Sequence, residues 1–365
     1  MLKSRGFWIG IVVSLVFIGL FVRSTDFGEV KRAFEDANYL WILASLPVYF
    51  VGLWVRTIRW QYLLRPVTRV SARRLYPVVI IGLMANNLIP ARAGELARAY
   101  VLGVRERVSK SSVLGTIAVD RLFDGLTLVP MMFLVALFAG RDVTFPVGFG
   151  YELSFAGLSA VMSVLFGAAL SVLLALVFST GARGGLHRLV HRIAPGSLKP
   201  KVENILDSFF EGLRALRSPA DLGIAWVMSA ISWTLEALMY YFVARGFGID
   251  EPFHVFLLLT AAANLAIAVV ASQGGVGPFE LVVSKTVVAF GAAEQLGSAY
   301  AIGLHAVLLF PIIAIGLYLM WSMKLTFGDM LKRSNRDGVL ADGDAPADAD
   351  AERVFVNPAI KPERA

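Results

Sequence analysis

The chain of 365 residues contains no cysteine, which excludes disulfide bonds and sites that bind metals or carry redox chemistry through thiolates. Charge is also scarce, because charged residues make up 17% of the chain, against about 25% in a typical soluble domain. Hydrophobic residues account for 57% of the sequence, and apolar runs long enough to cross a bilayer recur along it. The composition therefore indicates an integral membrane protein without a soluble domain large enough to carry its function.

The charge that is present is mostly basic, with a formal net charge of +7. Basic residues lie between the apolar runs, where they set topology and meet anionic lipid, so we expect no nucleic-acid partner. The strongest cluster follows the second apolar run and contains no acid: Arg56, Arg59, Arg65, Arg69, Arg73 and Arg74. By the positive-inside rule this loop and both chain termini are cytoplasmic, in a multi-pass protein of the cell membrane.

Six long apolar runs are each predicted to form a membrane helix: residues 7–22, 40–64, 112–139, 154–179, 220–244 and 298–323. Two broken regions lie between them. The run at 76–89 is about 14 residues long, stops before a proline and is followed by a polar helix at 91–104. The run at 253–272 is interrupted by glycines before 279–290, and it is either a full span or one arm of a re-entrant segment. Runs too short to span favour re-entrant hairpins.

These segments predict an all-α fold, a polytopic transmembrane helical bundle with two re-entrant helical hairpins in an inverted repeat. Each repeat would contain a span, a broken hairpin and a second span, entered from opposite sides of the membrane. That layout is typical of transporters, whose sites lie where the broken segments meet; the alternative is chance similarity between two interrupted regions. We expect a transmembrane domain over 1–326, with an amphipathic cytoplasmic connector at 181–218 on the membrane surface, and a disordered cytoplasmic tail over 327–365. The oligomeric state is left open.

The first charged motif surrounds Pro90, a residue that suits the first turn of a helix. Asn87 precedes it, and Arg92, Glu95 and Arg98 follow at intervals of three, so they share one broad helix face. Two arginines and one glutamate near a helix N-terminus suit a phosphate group. The alternative is a self-satisfied cluster that pins the hairpin.

The second charged motif lies inside the apolar run at 112–139. Asp120 and Asp124 share a helix face, and Arg121 can pair with Asp124. Because charge at membrane depth is costly and tends to mark a pathway, these side chains should face the interior of the bundle. There they either bind substrate or pair with the arginines of the hairpin.

The third motif is rich in glycine and interrupts the second hairpin. Gly274, Gly275 and Gly277 allow tight turns that expose N–H groups, Pro278 can open the next helix, and Glu280 lies in its first turn. Glycine also lets helices pack closely, which is the structural alternative.

Isolated titratable residues complete the set of candidates. Glu236, near the middle of its apolar run, is either a proton site or a hydrogen-bond acceptor for a neighbouring helix. His254 and His305 stand alone, so neither a metal site nor a cofactor is expected. The sequence contains no Ser/His/Asp set and no Walker loop, and we expect no enzymatic activity.

Together the three motifs, at residues 87–98, 120–125 and 274–280, resemble the membrane domain of bacterial lysylphosphatidylglycerol synthetase (flippase) proteins and of many uncharacterised bacterial and archaeal membrane proteins. The similarity covers roughly residues 5–325, and one difference is Asp120-Arg121, where many members have Glu-Arg. The resemblance implies lipid translocation, since that domain moves aminoacylated phosphatidylglycerol to the outer leaflet. A related domain is attached to glycosyltransferases that act on polyprenyl-phosphate sugars.

The leading hypothesis is a flippase-like protein that moves an anionic phospholipid or a polyprenyl-phosphate-linked lipid between leaflets. Its predicted headgroup-binding residues are Arg92, Glu95, Arg98, Arg121, Gly274, Gly275, Gly277 and Glu280. Structural or proton-coupling roles are expected for Asn87, Pro90, Asp120, Asp124, Glu236 and Pro278.

Two other hypotheses remain open. One is a non-catalytic scaffold that partners a lipid-modifying enzyme, and the other is a membrane enzyme whose acid or base is Asp120, Asp124, Glu95 or Glu280. The chain carries neither an aminoacyltransferase nor a glycosyltransferase domain, so we do not expect it to make its own lipid substrate.

Overall fold

The computed structural model describes residues 25–89, 94–139, 144–148, 151–193, 199–269 and 273–325, together with Gly19, Phe21 and Val22. Apart from those three residues, the predicted helix at 7–22 lies outside the described residues, as does the predicted tail at 327–365. The described chain is mainly α-helical, which confirms the all-α class.

The described helices are named here in chain order. The first half contains α1 (Phe27–Glu35), α2 (Tyr39–Leu64), α3 (Ala72–Leu88), α4 (Gly94–Glu106), α5 (Lys110–Ala139) and α6 (Phe155–Phe178). The second half contains α7 (Thr180–Ile193), α8 (Lys199–Gly212), α9 (Pro219–Gly246), α10 (Phe253–Val269), α11 (Pro278–Phe290) and α12 (Glu294–Ser322). Short 3₁₀ segments, Leu213–Arg217 and Gln273–Gly275, precede α9 and α11.

A short β-hairpin between α5 and α6 was not predicted. Strands β1 (Thr144–Gly148) and β2 (Tyr151–Ser154) pair in an antiparallel register that sets Thr144 opposite Ser154. The segment contains threonine, phenylalanine, valine and tyrosine, which favour strands. Residues 144–148 and 151–154 are therefore paired strands.

Three helices of the described chain, α2, α9 and α12, are long and apolar enough to cross a membrane. A fourth candidate exists if Ser163–Phe178 and Thr180–Leu189, which are bent by 100° at their junction, count as one span. Helix α5 has 30 residues, but Asp120, Arg121 and Asp124 lie near its middle. Among the described residues, the structure thus supports several membrane helices.

Capping residues explain where several helices begin. The side chain of Asn38 accepts a hydrogen bond from the backbone N–H of Leu40 at the start of α2. Ser218 does the same for Asp221 at the start of α9, whose first residue is Pro219. Such caps satisfy N–H groups that have no partner within the helix.

Helices α2 and α9 pack along each other at the centre of the bundle. Helix α3 packs against α4 and α12, and helix α10 packs against α11 and α5. These contacts enclose one large apolar cluster, in which Trp60, Tyr240 and Tyr300 are among the buried side chains.

The connector at 181–218 differs from its prediction. Instead of one helix on the membrane surface, it contains α7, α8 and a 3₁₀ turn, and α8 packs on α5. A Cβ atom added to Gly115 would lie 2.4 Å from the carbonyl oxygen of Phe209, so the two backbones touch there. Phe210, Leu213 and Leu216 are buried. The apolar side chains of the connector therefore pack against the protein, because small residues let the helices approach closely.

Candidate functional site

Arg59 on α2 is the centre of a buried ion network. Its Nη2 atom lies 2.8 Å from Oδ1 of Asp120 and 2.8 Å from Oδ1 of Asp124, both on α5. Its Nη1 atom donates a hydrogen bond of 2.8 Å to Oγ of Ser229 on α9. The side chains of Arg59 and Asp120 are 0% exposed. Charges this deeply buried need full pairing, because removing one partner leaves the other uncompensated.

Arg98 on α4 joins the network from the first broken region. Its Nη1 atom lies 3.3 Å from Oδ2 of Asp120, and its guanidinium stacks 4.0 Å from the ring centroid of Trp60. A Cβ atom added to Gly82 would lie 2.3 Å from Cγ of Arg98. The glycine therefore makes room for the arginine between α3 and α4.

Arg121 forms the accessible end of the same network. It lies 3.0 Å from Asp124 through Nη1 and 3.4 Å from Glu95 through Nε. Glu95 also accepts a hydrogen bond of 3.3 Å from Nδ2 of Asn86. The side chains of Arg121 and Glu95 are 39% and 26% exposed, in contrast to the buried Arg59. The network thus extends from the packed centre to a place that a ligand can reach.

The described network is electrically balanced. Three arginines, Arg59, Arg98 and Arg121, face three carboxylates, Asp120, Asp124 and Glu95. Pro90 and Arg92, which belong to the same predicted motif, lie outside the described residues. The sequence left open whether Asp120 and Asp124 pair with arginines of the hairpin, and Asp120 pairs with Arg98.

A second ion pair connects α2 with α9. Nη2 of Arg56 lies 3.0 Å from Oε2 of Glu236, and its guanidinium lies 4.4 Å from the ring centroid of Trp233. Asn264 on α10 donates a hydrogen bond of 3.1 Å to Oε1 of Glu236. In the structure Glu236 therefore accepts hydrogen bonds from two neighbouring helices, α2 and α10.

The glycine-rich segment leads into α11 through an unusual backbone. Gly274, Gly275 and Gly277 have φ values of 63°, 80° and 97°, a region that favours glycine. Pro278 then begins α11, and Oε2 of Glu280 accepts a hydrogen bond of 2.7 Å from the N–H of Gly277. Glu280 thus caps the helix that it belongs to, which fixes one of its two oxygens.

His305 on α12 contacts both sides of this segment. Its Nδ1 atom lies 2.5 Å from Oε1 of Glu280, and its Nε2 atom lies 3.0 Å from the carbonyl oxygen of Gly274. The ring of Phe279 lies against the imidazole, with centroids 4.6 Å apart. The expectation that His305 is isolated was therefore wrong, because its partners are distant in sequence.

The two broken regions meet in space. A Cβ atom added to Gly274 would lie 3.5 Å from the carbonyl oxygen of Asn87, near the end of α3. Helix α3 also packs against the segment Gln273–Gly275. The end of α3 and the glycine-rich segment before α11 are therefore neighbours.

Arg56 and Arg59 were interpreted from the sequence only as signs of a cytoplasmic loop. Both lie inside the continuous helix α2 and are paired with carboxylates of other helices. Their spacing of three residues within a long apolar run could have indicated an inward-facing pair. The prediction that the loop after α2 is cytoplasmic therefore depends on Arg65, Arg69 and the basic residues that follow them.

Comparison with known proteins identifies relatives over most of the chain. Residues 7–316 match the family model described as the lysylphosphatidylglycerol synthase TM region. Two UPF0104 membrane proteins of Methanothermobacter thermautotrophicus are each 27% identical, one over 73% of this chain and 80% of its own length, the other over 79% and 85%. The glycosyltransferase AglD of Haloferax volcanii is 26% identical over 91% of this chain but 57% of its own length. No solved structure matches the chain.

Proposed function

Because this chain belongs to the lysylphosphatidylglycerol synthase TM region family, we propose that it moves an anionic lipid between the leaflets of the bilayer and carries out no covalent chemistry. The lipid is an anionic phospholipid or a polyprenyl-phosphate-linked lipid. One observation carries this proposal: an ion network that is buried at Arg59, whose side chain is 0% exposed, reaches Arg121, whose side chain is 39% exposed.

The accessible end of the network has the chemistry of a phosphate site. Arg121 is shared between Asp124 and Glu95, at 3.0 Å and 3.4 Å. A phosphate can replace Glu95 as a partner of the guanidinium, because the planar fork of arginine matches phosphate oxygens in a bidentate manner. Arg92, in the same sequence motif but outside the described residues, has a further positive charge. Arg98 connects α4 to Asp120.

The proposal includes the two re-entrant hairpins. Helices α3 and α11 have 17 and 13 residues, which at about 1.5 Å per residue are shorter than a hydrocarbon core roughly 30 Å thick. A broken helix at membrane depth is tolerated where protein or water lines it. The contact between Gly274 and Asn87 supports a shared lining for the two breaks.

Support for the inverted repeat comes from matching helix contacts. If α2–α5 correspond to α9–α12, then α3 corresponds to α10 and α12 corresponds to α5. The packing of α3 on α12 then has its counterpart in the packing of α10 on α5. The pairs α3 with α4 and α10 with α11 correspond in the same way.

Matching positions within helices give a second line of support. Arg56 lies seventeen residues after Tyr39, the start of α2, and Glu236 lies seventeen residues after Pro219, the start of α9. These two equivalent residues form an ion pair of 3.0 Å with each other. Residues on a twofold axis meet their own equivalents, so this pair marks the axis that we propose between α2 and α9.

The charged contacts of the hairpins correspond as well. Arg121 lies eleven residues after Lys110, the start of α5, and contacts Glu95 in the first turn of α4. His305 lies eleven residues after Glu294, the start of α12. It contacts Glu280 in the first turn of α11. Each proposed repeat therefore has a carboxylate at the start of its hairpin arm and a basic partner on the next helix.

We propose that residues 1–326 act as one transmembrane unit, with both termini and the tail at 327–365 in the cytoplasm. The cluster of Arg65, Arg69, Arg73 and Arg74 supports this orientation.

A second candidate function is a non-catalytic scaffold for a lipid-modifying enzyme. It is favoured by the relative named as a glycosyltransferase, since its alignment with this chain leaves much of that relative unmatched. On this hypothesis the basic connector at 181–218 docks the partner.

Lipid identification tests the proposed headgroup site. The full-length protein would be purified in mild detergent, and retained lipids would be identified by mass spectrometry for wild type, Arg121→Ala and Arg65→Ala. Arg65 is the matched control, because it is 45% exposed and pairs with Asp221 away from the network. We expect Arg121→Ala to lose an anionic lipid that the other two proteins retain. Equal lipid retention in all three would remove Arg121 from the site.

A further inference from the structure

The hydrogen bonds of His305 determine where protons must lie. The carbonyl oxygen of Gly274 can only accept, so the Nε2 atom that lies 3.0 Å away must carry a proton. Nδ1 faces Oε1 of Glu280 at 2.5 Å. A neutral imidazole protonated at Nε2 has a lone pair at Nδ1, and a carboxylate oxygen also has lone pairs. The contact therefore requires one further proton, on either the ring or the carboxyl group.

We propose that His305 and Glu280 bind one transferable proton, and that this proton holds the glycine-rich segment in place and couples lipid movement to a proton gradient. The coupling rests on the proposed lipid translocation, whereas the proton site itself can be tested without it. The ligand that His305 and Glu280 bind is therefore the shared proton itself.

A comparison of the two proposed repeats indicates why the proton belongs to the second one. Arg121 and His305 occupy equivalent places, each facing the first-turn glutamate of the preceding hairpin arm. Arginine stays charged at all physiological pH values, whereas histidine changes charge near neutral pH. The first half is therefore suited to an anionic headgroup and the second half to a proton.

Loss of the proton changes the contact from attractive to repulsive. The lone pair of Nδ1 then faces the carboxylate of Glu280, and the imidazole turns or withdraws. Its bond to Gly274 is lost with it, because the same ring supplies both contacts. Gly274 lies next to the carbonyl oxygen of Asn87, so the two broken regions separate at this point.

Other titratable groups on the surrounding helices have partners or positions of their own. Glu236 on α9 pairs with Arg56, and Lys285 on α11 pairs with Glu294 on α12. The hydroxyl group of Tyr300 on α12 donates to the carbonyl oxygen of Tyr240 on α9. The remaining titratable groups on packed elements are Glu29, Lys31, Arg32 and Glu35 of α1, Arg73, Arg74 and Tyr76 of α3, Asp221, Tyr240, Tyr241 and Arg245 of α9, His254 of α10 and Tyr318 of α12. The His305–Glu280 pair is thus the site where one proton controls the glycine segment.

A single cysteine can report the state of this segment, since the chain has none of its own. Val276→Cys would be placed in the full-length protein, reconstituted in vesicles of phosphatidylcholine and phosphatidylglycerol. Its labelling rate by a maleimide would be measured at a series of pH values, in each case relative to the rate of a free thiol at the same pH, because the thiolate is the form that reacts. We expect labelling to accelerate by at least about tenfold as the pH rises and the shared proton is lost, as in a two-state population shift.

Four second-site variants of this reporter test the assignment. His305→Gln and Glu280→Gln should each abolish the pH dependence of labelling. His254→Gln and Glu294→Gln remove an exposed histidine and an exposed glutamate and should retain it. If His305→Gln or Glu280→Gln keeps the wild-type pH dependence while matching its melting temperature, the proton site is overturned. If either variant is poorly folded, a folded His305→Asn must likewise lose the pH dependence, and a folded Glu280→Asp must shift its midpoint. An unchanged pH dependence in either of these variants overturns the proposal.

Flipping of fluorescent phosphatidylglycerol in the same vesicles separates the two proposals. If the shared proton couples lipid movement to a proton gradient, an imposed pH gradient should accelerate flipping by the wild-type protein. Glu280→Gln should lose this acceleration. If the labelling pattern holds but no lipid is flipped, the proton site stands and translocation fails. If lipid is flipped while labelling does not depend on pH, translocation stands and the proton site fails.

Discussion

The guanidinium of Arg59 and the carboxylate of Asp120 are 2.8 Å apart, and neither side chain is exposed. They connect α2 to α5, and Arg98 adds α4 through the other oxygen of the same carboxylate. One aspartate therefore holds three helices together at the buried end of the network. On the proposed function, this end supports the site, whereas Arg121 and Glu95 at the partly exposed end would meet the ligand.

This division predicts different costs for two similar substitutions. Asp120→Asn should destabilise the protein by roughly 3–5 kcal/mol, because it leaves the buried guanidinium of Arg59 without one of its charged partners. Glu95→Gln should cost no more than about 1 kcal/mol, because the side chain is partly exposed. Thermal unfolding in the same detergent measures both. Equal destabilisation by the two variants would contradict the division.

Close backbone approach predicts a steric effect between α3 and α4. A Cβ atom added to Gly94 would lie 2.1 Å from the carbonyl oxygen of Gly82, which is rigid backbone. Gly94→Ala should therefore separate α3 from α4 and lower both stability and lipid binding. Gly223 in α9 is the control, since a Cβ atom there has nothing within 4 Å. Gly223→Ala should leave stability unchanged or raise it by up to about 1 kcal/mol.

Unfolding temperatures can contradict the close packing of α3 on α4. If Gly94→Ala and Gly223→Ala unfold at the same temperature as wild type, α3 and α4 do not pack as closely as described.

The proposed twofold axis predicts that a charge swap is tolerated. Arg56→Glu places two carboxylates together and Glu236→Arg places two guanidinium groups together, so each single variant should be strongly destabilised. The double variant re-forms the pair with exchanged signs at equivalent positions. A double-mutant cycle on melting temperatures should show coupling between the sites. Additive losses would argue against the axis.

The proposed topology predicts the accessibility of introduced cysteines. Gly148→Cys in the β-hairpin should react with an impermeant maleimide from outside intact cells, and Arg69→Cys should react only after the cells are opened. The reason is the basic excess around Arg69, which keeps that loop in the cytoplasm. Labelling of position 148 from the cytoplasmic side alone would invert the assignment.

The sequence predicted the breaks in the helices better than the partners of the charges. Helix α3 ends at Leu88, shortly before Pro90, and Pro278 begins α11, because proline lacks the N–H group that a helix interior uses, although Pro77 lies within α3. Ion pairs depend instead on which helices become neighbours. The partners of Arg59 lie 61 or more residues away on another helix, so a basic residue at the end of an apolar run was interpreted as a topology signal.

The candidate site was therefore predicted in part. The interaction of Glu95 with Arg121, and that of Arg98 with Asp120, agree with residues that the sequence selected. His305 was missed because its contacts with Glu280 and Gly274 depend on how α12 packs beside α11. A comparison of positions counted from each helix start could have found it, since His305 then falls opposite Arg121.

Flip rates in reconstituted vesicles test the central claim most directly. Full-length wild type, Arg121→Lys, Arg121→Ala and the control Arg65→Ala would be reconstituted at equal density with fluorescent phosphatidylglycerol, and exposure of the probe to an added quencher would be followed. We expect wild type and Arg65→Ala to move the lipid alike, Arg121→Lys to be slower, and Arg121→Ala to be slower by at least about tenfold, because lysine cannot form the bidentate phosphate contact. The same assay would be run with a polyprenyl-phosphate probe. Lipid translocation would be contradicted if vesicles containing wild-type protein moved neither probe faster than protein-free vesicles.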